Sequence, residues 1–225
     1  MKYAILFDLD NTLLLDRNSP VHFFLDCCAR LGHSLNGDTP ARLERWQLEY
    51  WARHDALEAK MTADGQEKFW LDYNVDQFKF LGITGPLEDY SKQLGEWFNT
   101  EYVYAPHVPA DVRPTLTRLR DSGATLGLVS NRSRPLGAVA EEHNLADLFD
   151  FTLSAGEVGY WKPHPNIFRR ALELAGAEAA AYVGDNYYAD ILGARGAGLT
   201  PVLIDRRGLF PDADCRVIQE IGGLL

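Results

Sequence analysis

The sequence predicts an α/β fold: a Rossmann-like, doubly wound parallel sheet interrupted after its first strand by an all-helical insertion. Three observations carry this. Tyr3 to Phe7 is a short run apolar on both faces, the pattern of a strand in a covered parallel sheet. From about residue 17 to residue 100 the apolar positions recur only at helical spacing. Beyond residue 112 helical and strand-like stretches alternate, which calls for crossover connections and a parallel sheet.

The first strand ends in Asp8-Leu9-Asp10-Asn11-Thr12. After Pro20, the residues Val21, Phe24, Leu25, Cys28 and Leu31 trace a helix that Gly32 stops. Thr39-Pro40 is a cap and first-turn pair, and Leu43, Trp46, Tyr50, Leu57 and Met61 extend a long second helix from it. Phe69, Trp70, Tyr73, Phe80 and Leu81 before Gly82 form a third, and Leu87, Tyr90, Leu94, Trp97 and Phe98 after Pro86 a fourth. Residues 106 to 109 read as the return linker. Then come a helix near 112–120, a strand at 125–129, a helix around 135–143, and a short strand at 151–153. A helix at 166–174, a strand at 181–183, a helix at 189–196 and a strand at 201–204 complete the alternation. The expected division is an α/β core of residues 1–16 and 105–225 with a helical insertion of 17–104.

The 225 residues hold 46% hydrophobic and 24% charged side chains, enough apolar material for a real core and far from the composition of disordered chains. With 32 acidic against 22 basic residues the net charge is −10, which disfavours a nucleic-acid partner. A small anionic substrate remains compatible, because a local cation, a lysine or a helix N-terminus can overrule a screened global field. Cys27, Cys28 and Cys215 make neither a disulfide framework nor a zinc spacing, which fits a reducing cytoplasm. The N-terminal apolar run meets Asp8 too soon for a signal peptide or a membrane span. The expectation is a cytoplasmic monomer or weak homodimer without a membrane partner.

In open α/β sheets ligands bind beyond the carboxyl ends of the strands, so polar residues that follow apolar runs belong together. Four endings are polar: Asp8, Asp10 and Thr12; Ser130-Asn131; the loop holding Lys162; and Asp185 with Asp190. Carboxylates gathered in one crevice need a cation among them, and Mg²⁺ favours such oxygen ligands together with phosphate. Asp8 and Asp185 are ligand candidates. Phosphoryl transfer also needs a nucleophile, a proton donor for the leaving oxygen, and donors for the remaining phosphate oxygens. Asp8 can attack phosphorus and become an aspartyl-phosphate, and Asp10 can protonate the leaving alcohol and later activate water. The Ser130 hydroxyl and the Lys162 ammonium can hold phosphate oxygens.

This constellation resembles the haloacid dehalogenase-like (HAD) superfamily, on Asp8-Leu9-Asp10-Asn11-Thr12-Leu13, Ser130-Asn131, Lys162-Pro163, and Gly184-Asp185-Asn186 with Asp190. The resemblance implies that Asp8 is the nucleophile and Asp10 the acid/base. It implies that Ser130 and Lys162 bind phosphate, that Asp185 and Asp190 hold Mg²⁺, and that the main-chain carbonyl of Asp10 is a further metal ligand. Thr12 and Asn131 join the phosphate-binding candidates. The insertion resembles the C1 cap of subfamily IA, which closes over the site and selects substrate. A carboxylate at position 10 is characteristic of the family's phosphatases and mutases, so the implied activity is hydrolysis of a small phosphorylated metabolite. A phosphomutase and a catalytically idle scaffold are the alternatives.

Several residues keep two readings. His164 stands where the family commonly has an acid, and either touches substrate or starts the next helix. Asn131 is a phosphate contact or a helix cap, and Asp190 a site residue or a helix N-terminal acid. Trp46, Trp51, Trp70 and Trp97 fit core packing better than a substrate wall. Arg53, His54 and Lys60 either reach a second anionic group or lie on a solvated helix face, and Arg132, directly after the phosphate motif, is a better leaving-group candidate.

Overall fold

In the computed structural model, which describes residues 3–53 and 66–225, β1 (Tyr3–Phe7) buries both faces. Ile5 and Phe7 enter one apolar cluster with Leu128, Val183 and Ile204, while Ala4 and Leu6 enter a second with Val129, Phe168 and Tyr182. That two-sided burial is why the run shows no polar alternation. β1 pairs in parallel with β4 (Thr125–Ser130) on one side and β6 (Ala179–Gly184) on the other. With β5 (Phe151–Ser154), β7 (Thr200–Ile204) and β8 (Arg216–Ile218), the order is β5-β4-β1-β6-β7-β8, all parallel. The chain winds outward in both directions from β1, so the crevice beyond its carboxyl end is the ligand position of such sheets.

The predicted α/β class therefore stands, with three strands added. β8 escapes sequence reading because it is three residues long and two of them are exposed. β2 (Leu15–Asp16) and β3 (Pro106–His107) form a separate two-stranded sheet, each too short to show a period. β3 lies in the stretch expected to be only a linker.

The insertion contains α1 (Pro20–Arg30), α2 (Thr39–Arg53), α3 (Gln66–Phe80) and α4 (Leu87–Thr100). Ser19 caps α1 by accepting the His22 amide at 3.2 Å, and Pro20 needs no partner in the first turn. Val21, Phe24, Cys27, Cys28, Leu43, Phe78 and Leu94 share one core. The cysteines carry no disulfide. Leu57 and Met61, expected to continue the second helix, and His54 and Lys60 lie outside the described residues. No described helix is long and apolar enough to cross a membrane.

Among the described residues the chain divides into two compact units: residues 3–15, 48–53 and 106–225, and residues 16–47 and 66–105. Residues 48–53, which the sequence groups with the insertion, fall in the α/β unit. There Leu48 packs against the cluster of Ile191, Leu203, Leu209 and Phe210.

Candidate active site

The site is assembled at the carboxyl ends of β1, β4 and β6 and in the loop that leads into the helix Pro165–Ala175. The Asp8 amide donates to the Val183 carbonyl at 2.9 Å, extending the ladder one residue past β1. The chain then doubles back. Leu13 and Leu14 both donate to the Leu9 carbonyl at 2.9 Å, and Asn11 takes the left-handed conformation (φ 59°) that asparagine tolerates well. The turn returns Thr12, whose hydroxyl lies 3.2 Å from Asp8 Oδ2 and 3.4 Å from Asp185 Oδ1. Thr12, a phosphate-binding candidate in the sequence, has its hydroxyl between two carboxylates.

Lys162 is only 3% exposed. Its ammonium lies 2.7 Å from Asp8 Oδ1 and 2.6 Å from Asp190 Oδ1. Asn131 places it: the Asn131 side-chain oxygen accepts the Lys162 amide at 2.6 Å, and its Nδ2 donates to the Lys162 carbonyl at 2.9 Å. Both ends of that amide are engaged with the Lys162 main chain. Asn131 thus positions the lysine. His164 starts the helix α8 (Pro165–Ala175), its Nδ1 accepting the Asn166 amide at 3.2 Å while its ring stacks on Tyr160 at 4.6 Å.

The Asp8, Asp185 and Asp190 carboxylates each bring an oxygen within 4.8 Å of the others. Against these three carboxylates the buried centre holds one ammonium, Lys162. Burial, and then the Asp190 charge against the partial relief from Lys162, push Asp8 up to about 7. Burial and the Asp8 charge raise Asp185 well above the ordinary carboxylate range. Burial alone lowers a lysine, but here Asp190 and Asp8 outweigh it and hold Lys162 well above its usual value. An excess of buried negative charge, supplied entirely by hard oxygen donors, fits a divalent cation of the Mg²⁺ type. Both oxygens of Asp190 are engaged, one facing Lys162 and the other accepting the Asn186 amide at 3.0 Å.

Asp190 is not on a regular α-helix. The expected helix at 189–196 begins as a π-helical turn, Tyr187–Ile191, before α9 (Leu192–Gly196). Asn186 caps it by accepting the Tyr188 and Ala189 amides at 3.0 and 3.1 Å. Gly184 is required beside it: a Cβ there falls 2.3 Å from Asp190 Oδ2. Gly184→Ala is therefore expected to push Asp190 off Lys162 and destabilise the protein by about 1–3 kcal/mol, read as a lower urea midpoint. An unchanged midpoint contradicts that packing.

Ser130 ends β4 and is 2% exposed. Asp10 and Arg132 differ from these buried groups: their side chains are 40% and 33% exposed. The guanidinium holds the carboxylate in a two-pronged ion pair, Nε to Oδ2 at 2.9 Å and Nη2 to Oδ1 at 2.6 Å.

Arg206 was not singled out from the sequence. Its guanidinium donates to the main-chain carbonyls of Asn11 and Thr12 at 2.8 and 2.9 Å and braces the turn between Asp8 and Thr12. The rule that found the other residues covers it, because Asp205-Arg206-Arg207 follows the apolar strand β7 as directly as Asp8 follows β1. Arg206→Ala is expected to lower kcat about tenfold with a smaller change in KM, since it loosens the turn rather than removing a reacting group. Steady-state kinetics checks this.

The other candidates have partners within their own elements or core. Arg53 pairs with Glu49 one turn back. Trp46 stacks on Tyr73 and Phe80, and Trp97 packs on the helical core, whereas Trp70 is 39% exposed and off the apolar stripe. Trp51 meets Tyr50 edge to face.

The family model described as "Hydrolase: haloacid dehalogenase-like hydrolase" matches residues 3–198. Haloacid dehalogenase-like hydrolase domain-containing protein 3 of Bos taurus is 30% identical, with 89% of this chain and 80% of that protein covered. A phosphoserine phosphatase of Thermus thermophilus is 33% identical over 92% of this chain and 90% of its own length. Among solved structures, a HAD phosphatase from Thermococcus onnurineus superposes with a TM-score of 0.55 at 26% identity, covering 100% of this chain and 96% of that one.

Proposed function

The chain belongs to the haloacid dehalogenase-like hydrolases, and from that premise we propose that it is a Mg²⁺-dependent phosphatase of small phosphomonoesters acting through an aspartyl-phosphate on Asp8. One observation carries the choice of phosphate: a partly exposed carboxylate, Asp10, stands two residues from the buried nucleophile candidate. A halide leaves carbon without a proton, whereas an alkoxide leaving phosphorus needs an acid.

In this reading an Asp8 oxygen attacks phosphorus while Asp10 gives its proton to the bridging oxygen, and the alcohol departs. Asp10 then takes a proton from water, which attacks the same phosphorus, releases inorganic phosphate and regenerates Asp8. Lys162 fixes the Asp8 carboxylate and offsets charge on the phosphoryl oxygens, toward which Ser130 offers its hydroxyl. Asp8, Asp185, Asp190 and the Asp10 carbonyl are the groups that would hold a divalent cation, which would supply further neutralisation of the phosphoryl charge. The helical insertion is assigned the substrate-selecting role of a cap.

The test is a panel of phosphomonoesters with Mg²⁺ in ¹⁸O-labelled water, with a borohydride quench. Labelled inorganic phosphate and a homoserine at position 8, the reduced acyl phosphate, support the proposal. Phosphate returned to a substrate hydroxyl without label identifies a mutase instead, and no turnover of any ester overturns the enzymatic reading.

A further inference from the structure

The pair of Asp10 and Arg132 is not needed for the steps above, which use only the carboxylate. Its place in the site is nonetheless tightly set. Asn131, the preceding residue, is tied to the Lys162 main chain at both ends of its side chain. On the following side, the Arg132 carbonyl accepts the Gly156 amide at 3.1 Å, and a Cβ on Gly156 falls 1.8 Å from the Ser133 carbonyl oxygen. The main chain at residue 132 is thus held from both sides, and the guanidinium is delivered to the group that faces the leaving oxygen.

We propose that Arg132 is a specificity-determining residue that receives a carboxylate carried by the leaving group, so that the preferred substrates are phosphate esters of small hydroxy acids. This rests on the phosphatase reading and narrows it. The leaving oxygen must come within about 3 Å of the Asp10 carboxyl to be protonated, and the Arg132 nitrogens lie one hydrogen bond beyond the same oxygens. A carboxylate on the carbon that bears the ester oxygen spans that gap. The guanidinium already grips a planar carboxylate with two prongs, which is the geometry the substrate group requires. Exchange is feasible because this ion pair is part-exposed, so that water and a competing carboxylate reach it, unlike the buried contacts of Lys162. Arg206 does not compete for the role, being engaged with the carbonyls of Asn11 and Thr12.

The experiment compares phosphoglycolate with its carboxamide, the same shape without the charge, and uses p-nitrophenyl phosphate as a control for phosphatase activity. The wild type with Mg²⁺ is expected to favour the acid over the amide by about tenfold or more in kcat/KM. Arg132→Met is expected to bring that ratio to within about threefold of one, and Arg132→Lys, which keeps the charge but not the fork, to an intermediate value. Calorimetric titration of the inactive Asp8→Asn protein with both ligands should show the same preference in binding, and supports the proposal even where Arg132→Met folds poorly. A wild-type ratio near one overturns the proposal. So does a Met variant that loses both esters equally, since Arg132 then serves only to hold Asp10. Turnover of p-nitrophenyl phosphate without the acid preference defeats this inference alone, whereas no turnover of any of the three defeats the phosphatase reading with it.

Discussion

Asp8→Asn is expected to lose on the order of 10⁴-fold or more in turnover and, without a divalent cation, to melt at a higher temperature than the wild type above pH 7. On the proposed mechanism the loss follows from removing the attacking oxygen. The gain follows from charge: three carboxylates share the centre with one ammonium, and the substitution removes one of them while Asp190 still pairs with Lys162 at 2.6 Å. Its pH dependence has a definite sign. Burial, with Asp190 and Asp10 adding to it against Lys162, lifts Asp8 from 3.8 to about 7, so between those values the folded protein binds more protons than the unfolded chain. Wild-type stability without a cation therefore falls as pH rises through that window, and the asparagine variant lacks this loss. Thermal melts in chelator from pH 4 to 9 check it, and a variant that melts below the wild type at pH 8 contradicts the charge excess. Mg²⁺ should raise the wild-type melting temperature more than that of the variant, because the proposed site would bind it through the deleted carboxylate.

Asp8, Ser130, Asp185 and Lys162 were legible because each sits at or near the end of an apolar run, and a parallel sheet with both faces covered writes such runs plainly. What stayed hidden depends on contacts between distant parts of the chain. Asn131 reaches residue 162, Arg132 reaches residue 10, and Arg206 reaches residues 11 and 12; no spacing announces any of these. The sequence marked Asn131 as polar and near the site but not which way its amide turns. Thr12 likewise belongs to a recognisable motif, yet only the turn at Asn11 shows its hydroxyl lying between Asp8 and Asp185. Short edge elements such as β8 and β3 are silent because two or three residues cannot display a period.

Lys162→Met is expected to cost more stability than any other single change at the site. The ammonium is 3% exposed and faces two carboxylates, and removing one side of a buried ion pair typically costs about 3–5 kcal/mol. For a chain of this length that corresponds to a fall in melting temperature of roughly 6–20 °C at neutral to alkaline pH. The deficit should not be uniform. With the lysine gone, Asp8 loses the neighbour that lowers its pKa, so its folded value moves further above the unfolded one. A carboxyl whose folded pKa is raised costs nothing below the unfolded value and progressively more as pH climbs through the folded value. The variant should thus melt near the wild type at pH 4–5 and far below it at pH 8. Equal deficits at both pH values mean that lost packing, not uncompensated charge, is the cause. Lys162→Arg is not expected to rescue either stability or turnover, because the planar guanidinium is wider than the slot between Asp8 and Asp190 that the ammonium occupies. A divalent cation should recover more stability in Lys162→Met than in the wild type at pH 8, since it returns positive charge to the centre that the substitution leaves most negative.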